Sequence, residues 1–386
     1  MFSIAIFVVI LQQKAVYHIH IRMNITREDI LKALSTVQEP DLKKDLVTLN
    51  MITDISIDNQ SVSFTVVLTT PACPLKELIK NDCINAVKKS LGEIVNVTVN
   101  FTANVTSRQA HGPVLPNVKN IIAVASGKGG VGKSTVTANL AMALARSGAS
   151  VGLIDADIFG PSIPTMFDVE DERPNVIQDE SGRNRIIPVM QYGVKLISIG
   201  FLTPKENAVI WRGPMASSAL KQFISDVEWE ELDYLLIDMP PGTSDIHLTL
   251  VQTVPVTGVV LVTTPQKVAL ADAQKGLSMF VQPQINVPIL GVVENMSWFT
   301  PKELPENKYY IFGQEGGKEL AATNNVPFLG QIPLVQSVRE SGDSGRPAVI
   351  NDTEVSDDFR KLAESVAQQI AIRNASQEKT SVVAIK

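Results

Sequence analysis

The sequence predicts an α/β protein: a mainly parallel sheet with helices on both faces, preceded by a small α+β domain. Three observations carry that reading. From Asn117 onward, short apolar runs at 121–125, 151–154, 195–199, 234–237, 258–263 and 288–293 alternate with stretches of helical periodicity. Those runs are mostly apolar, as expected of strands covered on both faces. The first run leads straight into a glycine-rich loop, Gly127 to Thr135, and then into a helical stripe of Val136, Leu140, Ala143 and Leu144. Residues 24–106 keep a different rhythm, with period-two strands and two helical segments.

Taken from the N-terminus, Phe2 to Leu11 is an apolar run. It is too short for a bilayer, which takes about 20 apolar residues, and it lacks the charged flank and cleavage site of a signal peptide. Met23 stands just ahead of Thr26-Arg27-Glu28-Asp29, a capping-box start to a helix. Met23 is thus read as the natural start and residues 1–22 as an upstream extension, with a membrane-associated tail as the alternative. Ile30, Leu31, Leu34 and Val37 give one helix face, ending near Glu39-Pro40. Residues 46–57 and 61–69 read as strands about an Asn59-Gln60 turn. Leu75, Leu78, Ile79, Ile84 and Val87 return at helical spacing, Gly92 closes that helix, and a strand runs from about Ile94 to Phe101. Residues 107–116, with Gly112, Pro113 and Pro116, read as a linker to the larger domain, 117–373. Phe359, Leu362, Val366 and Ile370 stripe a final helix with Ser356 as its expected N-cap, and 374–386 read as a loose polar tail.

Composition narrows the function. A chain of 386 residues with 45% hydrophobic content can fill two domains. A net charge of −6 gives no support for a nucleic-acid surface. Two cysteines, Cys73 and Cys83, are too few for a disulfide framework and fit a reducing, cytoplasmic setting. With four histidines and no Cys-x-x-Cys, the chain offers no self-sufficient metal site.

The chemistry concentrates in Gly127-Lys128-Gly129-Gly130-Val131-Gly132-Lys133-Ser134-Thr135. Gly127, Gly132, Lys133 and Ser134 satisfy Gly-x-x-x-x-Gly-Lys-[Ser/Thr], a loop whose backbone N–H groups face one anion at a helix N-terminus. Lys133 is then expected on the β- and γ-phosphates, and the Ser134 hydroxyl on Mg²⁺. Lys128 adds a cation that an ordinary loop of this kind does not need. Two acidic clusters follow apolar runs, where ligands of an open α/β sheet sit. Asp238 opens Asp-Met-Pro-Pro-Gly-Thr and can orient Mg²⁺ or its water, with Gly242 directed at a γ-phosphate and 239–245 as a switch. Asp155 and Asp157 share the other cluster; one suits Mg²⁺ and the other the attacking water, and spacing does not say which.

The form Lys-Gly-Gly-x-Gly-Lys-[Ser/Thr] resembles the deviant loops of the ParA, MinD and nitrogenase iron-protein class. The resemblance implies a dimer sandwiching two nucleotides, with Lys128 reaching the partner's phosphates. Asp155 to Ser162, Trp211-Arg-Gly-Pro-Met215, Asp238 to Asp245 and Glu294-Asn-Met-Ser297 look like the Mrp/ApbC branch, the ATP-dependent iron–sulfur cluster carriers. Residues 24–106 are similar to a MIP18-like domain through Glu39-Pro40-Asp41 and Thr70-Pro71-Ala72-Cys73-Pro74. That resemblance implies an ATPase with catalytic residues Lys133, Asp157 and Lys128, Asn295 near the adenine, and a homodimer. Apo iron–sulfur clients and assembly scaffolds are the partners it implies, with neither nucleic acid nor membrane, and a [4Fe–4S] cluster the cargo. One departure stands out: Ser297 to Gly313 holds no cysteine, where carriers of this branch commonly keep a Cys-x-x-Cys pair. Cys73, ahead of a helix, is then the remaining thiolate for a cluster, and Cys83 reads as core. The rival readings are a ParA/MinD-like positioning ATPase and an ATP-switched adaptor that holds no cluster.

Overall fold

The structure, a computed structural model, describes residues 25–59, 61–93, 95–107, 114–158, 160–202, 213–301, 303–304, 306–351, 354–378 and 380–383. The expectations for residues 1–22 and Met23, and for most of the linker, lie outside the described residues. The chain divides into two compact units. One runs up to Val67 and over Lys76–Thr102; the other comprises Leu68–Leu75 and Ala103–Lys386.

The smaller unit opens on helix α1 (Arg27–Leu34). Its capping box is formed in full: Asp29 N donates to Thr26 Oγ1 at 3.2 Å and Thr26 N to Asp29 Oδ2 at 3.0 Å. The helix stops at Leu34, short of the expected Glu39-Pro40, and Val37 is buried from the following turn. Strands β1 (Gln38–Glu39) and β2 (Lys44–Asp45) form a small antiparallel ribbon. Strands β3 (Ile52–Asp58), β4 (Ser61–Leu68) and β5 (Asn96–Ala103) make a three-stranded sheet, with helix α2 (Lys76–Leu91) between β4 and β5 in sequence. Residues 46–51 are a turn, not the start of a strand. Asn50 takes a left-handed φ of 54°, which asparagine tolerates, and Met51 N bonds back to Leu46 O at 2.9 Å. Cys83 is fully buried, as are Ile30, Leu34, Phe64 and Ile79 of the same unit, and burial pushes its thiol up to about 12.

The larger unit is built on an eight-stranded sheet. Its elements, in chain order, are β6 (Val118–Ala125), α3 (Lys133–Arg146), β7 (Val151–Asp155), α4 (Ile163–Met166), β8 (Asn175–Gln178), β9 (Asn184–Ile187), β10 (Val189–Gln191) and β11 (Val194–Ser198). There follow α5 (Gly213–Ser225), β12 (Leu232–Asp238), α6 (Asp245–Thr253), β13 (Gly258–Thr263), α7 (Lys267–Val281) and β14 (Ile289–Phe299). The unit ends with α8 (Gly316–Thr323), β15 (Phe328–Leu334), α9 (Gln336–Asp343) and α10 (Glu354–Ser376). Strand order is β10-β11-β7-β12-β6-β13-β14-β15, parallel except for β10. Ile121, Ile122, Ala123 and Val124 are each 0% exposed, so both faces of β6 are covered, as its unbroken apolar run requires.

Two strands of this sheet escaped the sequence pattern. The antiparallel β10 joins β11 through Tyr192-Gly193, both at positive φ (49° and 82°), the two-residue turn that matches strand twist. β15 carries Pro333, which only an edge strand accommodates, and β15 is the sheet's edge. The last helix also starts earlier than expected. Ser356 lies inside α10 and its hydroxyl donates to Ala348 O at 2.7 Å, so it is not the N-cap. Nor is the chain loose from 374: Asn374 is 3% exposed and donates to Asn120 Oδ1 at 3.0 Å, and Val383 N bonds Val251 O at 2.9 Å. Among the described residues no helix is long and apolar enough to cross a membrane.

Candidate nucleotide site

Chain order reverses about β6: β12 and β7 lie on one side, β13, β14 and β15 on the other. The glycine loop leaves β6 at its carboxyl end, the place where open α/β sheets bind ligands. Asp238 ends β12 in register with Val124 on β6 and with Asp155 on β7. Three strand ends therefore deliver the loop and two carboxylates to one spot.

Two glycines of the loop are fixed by sterics. A Cβ on Gly127 would strike the backbone of α7 at Asp272 and Ala273. Gly132 takes φ +80°, and a Cβ there would collide with the Asn295 amide. Gly132 hands the chain to α3, which starts at Lys133 and is buried along its length from Val136 to Leu144.

Lys133 is 6% exposed, with Nζ 2.9 Å from Asp238 Oδ2 and 3.8 Å from Asp157 Oδ2. It also donates to Ser134 Oγ at 3.1 Å, and the Ser134 hydroxyl donates to Asp238 Oδ2 at 2.6 Å. Thr137 Oγ1 sits 2.7 Å from the other Asp238 oxygen. Asp238 is fully buried and so has a cation and two hydroxyls to offset its desolvation. Thr137 went unnoticed in the sequence. Its position four residues after Lys133 on the same helix face was the available signal.

Asp155 is also fully buried, but its oxygens are engaged elsewhere. They accept from Ser198 Oγ at 3.0 Å, Ile163 N at 3.2 Å and Asp157 N at 3.2 Å. Burial, with the Asp238 carboxylate beside it, pushes Asp155 up from the usual carboxylate range. Asp157 is less enclosed, its side chain 15% exposed and turned toward Lys133. Lys128 is exposed on the loop and forms none of the ion pairs around Lys133.

The segment after Asp238 is held in a defined position. Gly242 N donates to Ser126 O at 2.8 Å, which pins the turn to the end of β6. Ser244 N donates to His247 Nδ1 at 3.1 Å at the start of α6. Burial pushes His247 down to about 4, so its ring is neutral, with Nε2 buried and no hydrogen-bond partner for it among the described residues.

Asn295 is brought to the loop: Nδ2 donates to Val131 O at 2.8 Å. Its neighbour Glu294, fully buried, accepts from Gly317 N at 2.6 Å and Gln331 Nε2 at 2.8 Å. Beyond Ser297, Phe299 bridges to Tyr309, and Lys308 stacks its ammonium 4.0 Å from the Trp298 ring centre. An aromatic hairpin thus occupies the stretch where the resemblance implies paired cysteines. Cys73 is half-buried and belongs to the larger unit's segment Leu68–Leu75. That segment is anchored by Tyr234 Oη to Thr70 Oγ1 at 3.1 Å, near the start of β12, whereas the loop lies at the strand's far end. Among the described residues no group of three or more His, Cys, Asp or Glu is placed to hold a metal ion.

Comparison with known proteins agrees with this geometry. Residues 117–371 match the NUBPL iron-transfer P-loop NTPase family, and residues 27–101 match an iron–sulfur cluster assembly protein family. The iron-sulfur cluster carrier protein of Synechocystis is 49% identical over 90% of this chain and 97% of its own length. That of Deinococcus radiodurans is 45% identical over 90% and 97%. A nucleotide-binding protein from Archaeoglobus fulgidus, solved with ADP, is 38% identical with a TM-score of 0.52, over 60% of this chain and 88% of its own. With both of its domains matched, the chain belongs to the NUBPL-type iron-transfer P-loop NTPase family, beside the iron–sulfur cluster carrier proteins.

Proposed function

We propose that this protein is a homodimeric, Mg²⁺-dependent ATPase that carries iron–sulfur clusters to apoproteins in the cytoplasm. The observation that carries the reading is the Lys133–Ser134–Asp238 cluster behind the glycine loop, on a chain whose relatives are cluster carriers. The loop N–H groups and the start of α3 receive the phosphates. Lys133 swings from Asp238 to the β- and γ-phosphates, while Asp157 orients the attacking water. Ser134 Oγ and Asp238 are hard oxygen donors of the kind Mg²⁺ takes, and they already meet at 2.6 Å. Bound there, the ion supplies charge neutralisation on the phosphate oxygens. Asp155, occupied by Ser198, Ile163 and Asp157, supports the site from beneath. Gly242 exchanges its bond to Ser126 O for the γ-phosphate, which lets 239–245 report nucleotide state.

Lys128 is assigned to the partner's phosphates, since it is exposed and takes no part in its own site's ion pairs. Sedimentation with a non-hydrolysable ATP analogue should show a dimer for the native protein and mostly monomer for Lys128→Ala. A native protein that stays monomeric under those conditions contradicts the assignment.

The missing cysteine pair after Ser297 leaves Cys73 as the cluster thiolate, one from each subunit. Anaerobic reconstitution with iron and sulfide should give a labile cluster absorbance that Cys73→Ala loses and Cys83→Ala keeps. A cluster retained in Cys73→Ala contradicts that ligand. The same gap favours a second reading, an ATP-switched adaptor that holds no cluster. It is the outcome if the native protein takes up no iron while still hydrolysing ATP.

A further inference from the structure

We infer that Asn295 is a positioning residue that holds the phosphate-binding loop in its anion-ready shape, whatever base the nucleotide carries. Asn295 is 6% exposed and donates Nδ2 to Val131 O at 2.8 Å. Val131 is itself buried and lies between Gly130 and Gly132, at φ +82° and +80°. Those two residues are the loop's most freely rotating points, so the peptide planes between them need an external restraint. The Asn295 amide is that restraint. In a trans peptide the C=O and the following N–H point in opposite directions. Drawing the Val131 carbonyl toward Asn295 therefore turns the Gly132 N–H away from Asn295 and sets the orientation of one donor at the helix start.

The clamp is itself rigidly mounted. Met296 takes a left-handed φ of 55°, and the Ser297 hydroxyl closes a turn on Glu294 O at 2.8 Å. Glu294 is locked to Gly317 N on α8 and to Gln331 on β15. Such a conformation at a non-glycine residue is disfavoured and persists only where its surroundings over-determine it. The packing explains the local sequence: Gly132 has no room for a Cβ because the Asn295 amide fills that space.

Two measurements on the full chain test this, and only the second rests on the nucleotide reading above. In the ligand-free protein, Asn295→Ala should raise amide exchange across residues 127–135 by about three- to tenfold, the worth of one hydrogen bond, with the rest of the sheet unchanged. In equilibrium binding with Mg²⁺, ATP, GTP and inorganic tripolyphosphate should all weaken by a similar factor, leaving the ATP-to-GTP ratio as in the native protein. If Asn295→Ala does not fold, Asn295→Leu serves, being close in size, uncharged and without a donor. Unchanged loop exchange overturns the inference, and so does a loss confined to ATP, which would make Asn295 a reader of the base. If the native protein binds none of the three ligands, the nucleotide reading fails, and loop exchange alone still decides the clamp.

Discussion

Lys133→Ala is expected to lower ATP hydrolysis by about 10³-fold or more while the protein stays folded. In the proposed function Lys133 is the cation that the loop delivers to the transferred phosphate, and alanine offers no replacement. The structural cost is bounded by what surrounds Asp238. With Lys133 gone, that buried carboxylate keeps Ser134 and Thr137, at 2.6 and 2.7 Å. Removing one partner of a buried pair costs about 3–5 kcal/mol, and the two hydroxyls hold the loss toward the lower figure. A circular dichroism melt beside a phosphate-release assay separates the two effects. Native-like turnover in a folded Lys133→Ala protein contradicts the assignment of the site.

Asp157→Asn is expected to bind Mg-ATP nearly as well as the native protein and to hydrolyse it about 10³-fold more slowly. The two aspartates of the Asp155-Ala-Asp157 cluster, left equivalent by spacing, are separated by the structure. Asp155 spends its oxygens on Ser198, Ile163 and Asp157 N, whereas Asp157 keeps a partly exposed carboxylate 3.8 Å from Lys133 Nζ. Asparagine preserves the shape and removes the charge that orients a water. Single-turnover hydrolysis with binding measured separately checks this; an unchanged rate moves the role to another residue.

The fold's skeleton was readable because strands buried on both faces must be apolar at every position, and 121–125 or 258–263 look like nothing else. What escaped notice had no such constraint. β10 pairs on one side only and turns at Tyr192-Gly193, and β15 hides a proline at an edge. Ser356 has the right type for a helix cap, yet Ala348 O competes for its hydroxyl from a separate turn. In the site, Gly127 to Ser134 and Asp238 were legible because phosphate chemistry dictates both residue type and spacing. Ser198 reaches the site through Asp155, and the Glu294 carboxylate meets Gly317 and Gln331, all partners distant in sequence. Local pattern carries no trace of such contacts, and the same holds for the Asn295 amide lying across the loop at Val131.

At the centre of the proposed function, this protein holds a cluster and gives it away. That transfer is tested most directly by reconstituting the protein anaerobically with iron and sulfide, counting iron per dimer, and mixing it with an apoprotein that needs a [4Fe–4S] cluster. One cluster bridging each dimer is expected, lost in Cys73→Ala, with activation of the acceptor in step with loss of iron from the donor. A native protein that hydrolyses ATP yet takes up no iron and activates no acceptor contradicts it.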